Sequence, residues 1–287
     1  ARRCRNEYVA AGVRFRNPYS PANIGQMALM ATGYNETINL IEHDDQFKRF
    51  QEFALESFRG GRFENSFGGT AHCVAIDLCS AYWLVLANLP SLIQSETIGG
   101  KRVETVNGSI VEGTDIKVWN EWIAVRNNFT LGFIQVSVEF QPANWYPLID
   151  YSSSTLIAPR IFSGKIHVSE YLEMLKWSPI KVETGAFFYH EAGEVSYPFM
   201  EIITHCFDKK QNAKGSERDV WKQVGSSLYG KQIQAISNVM GSMYNPIFAA
   251  SITAETRSRL SEMLRLYPKC LMTATDGLLY KKGDIDI

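Results

Sequence analysis

The chain has 287 residues, 29 of them basic and 30 acidic, for a formal net charge of −1; 45 % of it is hydrophobic and 21 % charged. That length makes one large domain or two modest ones, with core enough to fold without staples. The apolar fraction excludes a disordered chain, and no run reaches the ~20 apolar residues of a membrane span. Balanced charge excludes a chain basic throughout, though not a local basic stripe of the kind that holds phosphates.

Residues 1–20 are basic and irregular, with Arg2, Arg3, Arg5, Arg14 and Arg16. Ser20-Pro21 reads as an N-cap followed by proline at the first helical position, opening a helix from Ala22 to about Ala31 that Gly33 ends. Phe47, Phe50 and Ala54 mark a second helix over 43–56. Arg59-Gly60-Gly61-Arg62 is a turn between Phe58 and Phe63. The apolar run Ala71–Leu78 after Gly68-Gly69 reads as a buried strand, and Ser80–Asn88 as a helix closed by Pro90. Residues 95–130 are polar, with hairpin signals at Gly99-Gly100 and Asn107-Gly108.

Gly132–Phe140 alternates and is a strand; 141–165, with proline and serine, reads as a long loop region. Val168–Lys176 is a short helix and Gly185–His190 a strand. A helical pattern then runs from Pro198 to Tyr229, interrupted near Gly215. Asn245-Pro246 opens the helix Ile247–Tyr267, and Cys270–Thr273 with Leu278–Lys282 closes a β-hairpin around a Thr-Asp-Gly turn. Hairpins and helices without βαβ alternation or an internal repeat define an α+β chain.

The five cysteines (Cys4, Cys73, Cys79, Cys206, Cys270) form no CxxC pair. Cys73 and Cys270 read as packed core thiols. The odd count, with no secretion signal, points to a reducing compartment. The five histidines lack ligand spacing, so no zinc site is expected. The sequons at Asn35, Asn107 and Asn128 matter only in a secreted chain. A chain starting at Ala1 is expected to be a processed product or a piece of something longer.

Three segments carry chemistry. In Val74-Ala75-Ile76-Asp77-Leu78-Cys79-Ser80-Ala81-Tyr82 a carboxylate ends an apolar strand, where a buried charge needs a cation or donors. In Leu271-Met272-Thr273-Ala274-Thr275-Asp276-Gly277 another sits at a hairpin tip. Side by side, the two strands would bring Asp77 and Asp276 within reach of one Mg²⁺, which takes carboxylates, waters and substrate phosphates. By itself, Asp276-Gly277 is also an ordinary turn signal. The third segment is basic: Lys209, Lys210, Lys214, Arg218 and Lys222 precede Ser226-Ser227-Leu228-Tyr229-Gly230-Lys231. Lys210 and Lys214 are i,i+4 neighbours on one helical face, and Lys222 and Tyr229 share a face if 220–229 is helical, an arrangement suited to a triphosphate and a base. A solvated lysine face is the plain alternative. Gly225–Lys231 also matches the GxxxxGK of a P-loop, but Gln232 replaces the required Ser/Thr and no strand precedes it.

Taken together, these residues resemble a family B DNA polymerase. Asp77-Leu-Cys-Ser80-Ala-Tyr82 is similar to motif A, with Trp83 for the usual proline. Lys222-Gln-Val-Gly-Ser226-Ser227-Leu-Tyr229-Gly230 is similar to motif B, with Ser226 for asparagine. Ala274-Thr275-Asp276-Gly277 resembles motif C, with Ala274 for its first aspartate. Phe58-Arg59-Gly60-Gly61 resembles the Tyr-x-Gly-Gly turn of protein-primed phage members, and Ser20–Gly25 the helix start that precedes it in viral polymerases. The match runs from about residue 18 to 282.

The resemblance implies a polymerase palm with an antiparallel sheet and an inserted helical fingers subdomain. Its divisions would be 1–70 (pre-palm, with the template-contacting turn), 71–196 (palm with insertion), 197–237 (fingers) and 238–287 (palm with the motif C hairpin). A proofreading exonuclease would precede residue 1 and a thumb follow residue 287. The implied activity is two-metal nucleotidyl transfer from a dNTP to a primer 3′-hydroxyl. Asp77 and Asp276 would be the catalytic, metal-holding residues for two Mg²⁺, with Mn²⁺ as the alternative. Leu78, Ser80, Tyr82, Lys210, Lys214, Lys222, Ser226 and Tyr229 would meet the nucleotide, Tyr82 excluding a 2′-hydroxyl. Lys222 is expected to reach the site that holds Asp77. Phe58, Gly60, Gly61 and Gly230 would lie along the template. Partners would be primer–template DNA, dNTP and a terminal protein or other replication factors, with no membrane, in the cytoplasm of a host cell. Ala274 leaves the metal site one carboxylate short, so a catalytically impaired nucleic-acid-binding or assembly module is the alternative, and a P-loop NTPase the third reading.

Overall fold

A computed structural model describes residues 21–31, 45–106, 108–114, 129–152, 155–190, 195–236 and 239–285. Its helices are α1 (Pro21–Met30), α2 (Asp45–Ser57), α3 (Ala81–Ala87), α4 (Val168–Met174), α5 (Met200–Asn212), α6 (Gly215–Gln232) and α7 (Pro246–Leu266). Its strands are β1 (Arg62–Asn65), β2 (Cys73–Asp77), β3 (Ile93–Ile98), β4 (Lys101–Val106), β5 (Ser109–Gly113), β6 (Phe129–Glu139) and β7 (Asp150–Ser152). There follow β8 (Thr155–Ile157), β9 (Ile161–His167), β10 (Ile180–Tyr189), β11 (Ala235–Ile236), β12 (Val239–Met240), β13 (Cys270–Thr275) and β14 (Gly277–Lys281). The architecture is α+β, with two antiparallel four-stranded sheets in the orders β1-β13-β14-β2 and β5-β10-β6-β9. The Ser20 cap and the basic residues 1–20 lie outside the described residues. Among the described residues no helix is long and apolar enough to cross a membrane.

The chain forms two compact units, each drawn from three stretches. One takes described residues of 1–51, 82–110 and 188–249, the other those of 52–81, 111–187 and 250–287. The first is mostly helical. In it α6 packs against both α1 and α5. Trp221, Val224, Gly225, Leu228 and Gln232 are its buried residues, spaced as one apolar stripe. Gly25 permits the approach of α1, since a Cβ there would stand 2.8 Å from the Val224 carbonyl oxygen. The GxxxxGK run lies wholly inside α6, so it forms no phosphate loop. Gly99-Gly100 closes the β3–β4 hairpin with φ of +59° and +78°, as a type I′ turn requires. The second glycine signal makes no hairpin. Asn107 lies outside the described residues, and β5 joins the sheet beside β10 rather than pairing with β4. Gly108 serves close approach instead, because a Cβ there would run into the Tyr189 carbonyl.

The second unit holds the sheet β1-β13-β14-β2 and most of the other. The expected loop 141–165 contains β7 and β8 and runs into β9, which pairs residue for residue with β6 from Glu139↔Ile161 to Phe133↔His167. Phe162 and Ile166 join Ile134, Val136, Val138 and Phe187 in the core. A second cluster, Trp145, Leu260, Leu264, Cys270, Leu278 and Tyr280, joins α7 to β13 and β14. His167 caps α4: its side chain accepts from the Ser169 amide, while Glu170 accepts from the His167 amide. Burial pushes the His167 imidazole down to about 4, because the interior penalises its charged form.

That burial makes stability depend on pH. Between pH 6.5 and about 4 the unfolded chain takes up a proton that the folded chain refuses. The native state therefore loses up to roughly 3 kcal/mol as pH falls through this window. Denaturant unfolding across pH 4–7 should show the loss, and His167→Asn, which keeps an N-cap acceptor, should flatten it.

Candidate nucleotidyl-transfer site

In the sheet unit, β2 is, among the described residues, an edge strand that pairs with β14, from Gly277↔Asp77 to Lys281↔Cys73. The sequence predicts a buried strand. Instead Cys73, Ala75 and Asp77 are exposed, while Val74 and Ile76 are half-buried. Cys73 is therefore no core thiol, although Cys270 is buried. The Asp77 carboxylate also escapes the desolvation cost of a buried charge. The register lines up Asp77, Gly277, Ala274 and Phe63 in one row across the sheet, and Ala75, Leu279, Met272 and Asn65 in the next. This face is open, and Leu278, Thr273 and Tyr280 are buried on the other.

Asp276 sits at the tip between β13 and β14. Its amide donates to the Ala274 carbonyl at 2.8 Å, closing a γ-turn around Thr275 at φ +58°. The sequence places the turn's special conformation on Asp-Gly, but it falls on the β-branched Thr275. Gly277 belongs to β14 and stands opposite Asp77, where a Cβ would make only ordinary contact, 3.8 Å from Oδ1. The Leu78 amide donates to the Asp276 carbonyl at 2.9 Å, which carries the ladder to the tip. Asp77 and Asp276 thus stand at the same end of neighbouring strands. The Thr275 hydroxyl donates to Asp276 Oδ1 at 2.8 Å. Beyond Asp77, the Ala81 amide donates to the Leu78 carbonyl at 3.2 Å around Ser80 at φ +52°. Among the described residues, Ser80 and Thr275 are the two non-glycine residues with positive φ. Each costs about 1–2 kcal/mol, and such strain gathers where a site demands it.

Two carboxylates beside an open face suit a hard cation that takes its other ligands from water and phosphates. No cluster of three or more His, Cys, Asp or Glu exists among the described residues, so no all-protein cage is built.

The Phe58–Arg62 turn belongs to the same unit. Arg257 of α7 donates to the carbonyls of Arg59 and Gly60 and pairs with Glu170 at 2.9 Å. Burial works against the Glu170 carboxylate, but the charge and hydrogen bond of Arg257 outweigh it and hold its pKa below the ordinary value. Arg59 donates to the carbonyls of Ser57 and Lys165, both at 3.0 Å, and Arg62 to the Tyr146 carbonyl at 2.6 Å. Phe58, Gly60 and Gly61 are half-buried. Sequence reasoning missed Arg257 and Glu170; the available signal was an arginine among Thr253, Thr256 and Ser261 on a helix otherwise rich in apolar residues.

In the helical unit the Tyr82 and Tyr229 rings stack 4.8 Å apart at 14°. Lys222, Ser226 and Tyr229 share one face of α6, at i, i+4 and i+7. Lys210 lies over the Trp83 ring. Lys214 does not share its face: α5 ends at Asn212, Ala213 and Lys214 are extended, and Gly215 turns at φ +57°. Gly230 has open space around it and no steric need to be glycine.

The fold is polymerase-like. It is similar to phi29 DNA polymerase, a protein-primed family B enzyme, in its complex with primer-template DNA and incoming nucleotide: TM-score 0.62 at 15 % identity, over 97 % of this chain and 50 % of that one. Against the same enzyme with single-stranded DNA the TM-score is 0.60 at 16 % identity, over 99 % and 51 %. Against its post-translocation binary complex it is 0.56 at 16 %, over 82 % and 43 %. The chain spans about half the length of the solved polymerase. No protein-family model matches the chain, and no curated protein does.

The γ-turn strain is measurable. Thr275→Gly should raise the unfolding free energy by about 1 kcal/mol, since glycine adopts positive φ without penalty, less its greater unfolded-state entropy. Denaturant unfolding monitored by tryptophan fluorescence measures it.

Proposed function

We propose that the chain carries the nucleotidyl-transfer centre of a template-directed DNA polymerase. The observation that supports this most is the Gly277↔Asp77 register, which sets Asp77 beside Asp276 in a polymerase-like fold. In this reading Asp77 and Asp276 hold two Mg²⁺, or Mn²⁺. When bound, these supply activation of the primer 3′-hydroxyl and neutralise the leaving pyrophosphate. The strained Thr275 turn holds the Asp276 carboxylate through the Thr275 hydroxyl before substrate arrives, so less reorganisation is left for the reaction. The Leu78 amide is committed to Asp276, so the turn through Ser80 is what meets the triphosphate. In the same reading Lys222, Lys210 and Lys214 contribute cationic charge to nucleotide binding, Lys214 from the loop between α5 and α6, and Ser226 lies on the Lys222 face. Tyr82 packs against the sugar and rejects a 2′-hydroxyl, and Tyr229 meets the nascent base pair. Phe58, Gly60, Gly61 and Gly230 follow the template backbone. The segments 1–70, 71–196, 197–237 and 238–287 serve as pre-palm, palm, fingers and palm again. A terminal protein or another replication factor, in a host-cell cytoplasm, completes this reading.

The alternative, an impaired binding or assembly module, rests on Ala274. The register puts Ala274 two strands from Asp77, about 10 Å by the ordinary strand spacing, so the missing carboxylate is not the one beside Asp77. Ala274→Asp should accordingly speed primer extension by less than about tenfold while lowering the Mg²⁺ needed for half-maximal rate.

The test is primer extension with Mg²⁺ or Mn²⁺. Asp77→Asn and Asp276→Asn should each cut the rate by about 100-fold or more. Lys222→Ala should raise the nucleotide KM and leave primer–template affinity nearly unchanged. Unaltered extension by both aspartate variants contradicts the assignment; DNA binding without extension by the unsubstituted chain favours the module.

A further inference from the structure

Trp83 stands where the family that the sequence resembles carries proline. It is 4 % exposed and rests on α6 at Gly225, where any Cβ would fall inside the indole ring. A larger residue at 225 would displace the ring. From α5, Lys210 brings its Nζ to 5.1 Å from the indole centroid and to 5.9 Å from the ring of Phe207. Both lie within the ~6 Å at which an aromatic face attracts an ammonium, and indole is the strongest such face. Lys210 is also in the last turn of α5, where the carbonyl end of the helix favours a cation. An unrestrained lysine on a surface samples many rotamers. This one is held by a ring that is itself fixed by a glycine.

We propose that Trp83 is a positioning residue: seated on Gly225, it holds the Lys210 ammonium in one place, ready for the anionic tail of a nucleoside triphosphate. The inference rests on the reading of Lys210 as a nucleotide contact. It gives the Trp83 departure a task that proline cannot perform, since proline has no π face. It also ties α3, α5 and α6 together through one side chain, so that the position of the charge follows from the packing of the three helices. Lys222 reaches its place differently, from an exposed position on α6.

Two measurements test this. In protein labelled with ¹³C-lysine, the Lys210 ε-methylene proton signal, assigned by its loss in Lys210→Arg, should lie upfield of the other lysines because of the indole ring current. It should also respond to Mg²⁺-dATP. In primer extension, Lys210→Ala and Trp83→Leu should each raise the dATP KM roughly two- to thirtyfold, with kcat changed much less. The double variant should be no worse than Lys210→Ala alone, and Trp83→Phe should fall between wild type and Trp83→Leu. If Lys210→Ala leaves KM unchanged, Lys210 does not meet the nucleotide and the underlying reading fails. If Lys210→Ala raises KM but folded Trp83→Leu does not, or the two effects add independently, the positioning role alone is overturned. If Trp83→Leu does not fold, the wild-type spectrum decides: a Lys210 signal without the upfield shift overturns the inference.

Discussion

The antiparallel register of β14 against β2 is the constraint on which the candidate site depends. Side chains alternate along a strand, so a slip of one residue would turn Asp77 to the opposite face. That face covers Leu278, Tyr280 and the α7 residues Leu260 and Leu264. Burying an ionised carboxylate there without a partner costs several kcal/mol. The apolar residues of one face thereby fix the register, and the acidic end of the other face follows from it.

A second buried feature shapes the turn at 58–62. Arg257 and Glu170 are 3 % and 4 % exposed, and removing two charges from water costs more than a simple ion pair returns. The guanidinium offsets part of that cost by also satisfying the carbonyls of Arg59 and Gly60. The interaction is better understood as fixing geometry than as adding stability. It ties α7, α4 and the glycine turn of the sheet unit to one another, so those carbonyls point inward. Arg62, held by the Tyr146 carbonyl and the Ser261 hydroxyl, fixes the far end of the same turn.

Much of this was legible in the sequence. Asn245-Pro246 announced α7, and the Asn245 side chain accepts from the Phe248 amide as an N-cap should. The α+β class and the hairpin around Asp276 were also legible, because capping and alternation are local signals. What escaped was set by partners distant in sequence. Ile161–Lys165 looked like loop because Ser163 and Gly164 dilute its alternation, and the pairing of β9 with β6 supplies what propensity lacks. β2 looked buried because its composition is apolar, yet the face of the sheet that carries Cys73, Ala75 and Asp77 is open. Lys210 and Lys214 seemed to share a face until two extended residues separated them. Arg257 carried no motif, and its role exists only through the carbonyls it meets.

The proposed joint hold of Asp77 and Asp276 on divalent cations can be tested on the protein itself. Iron-mediated cleavage tests it most directly: Fe²⁺ bound in place of Mg²⁺, with ascorbate and peroxide, cuts the backbone beside its ligands. Cuts are expected at the end of β2 near Asp77 and at the β13–β14 tip near Asp276, both suppressed by excess Mg²⁺ and both lost in Asp77→Asn. Cuts at only one of these strands, or a pattern unchanged by Asp77→Asn, would contradict it.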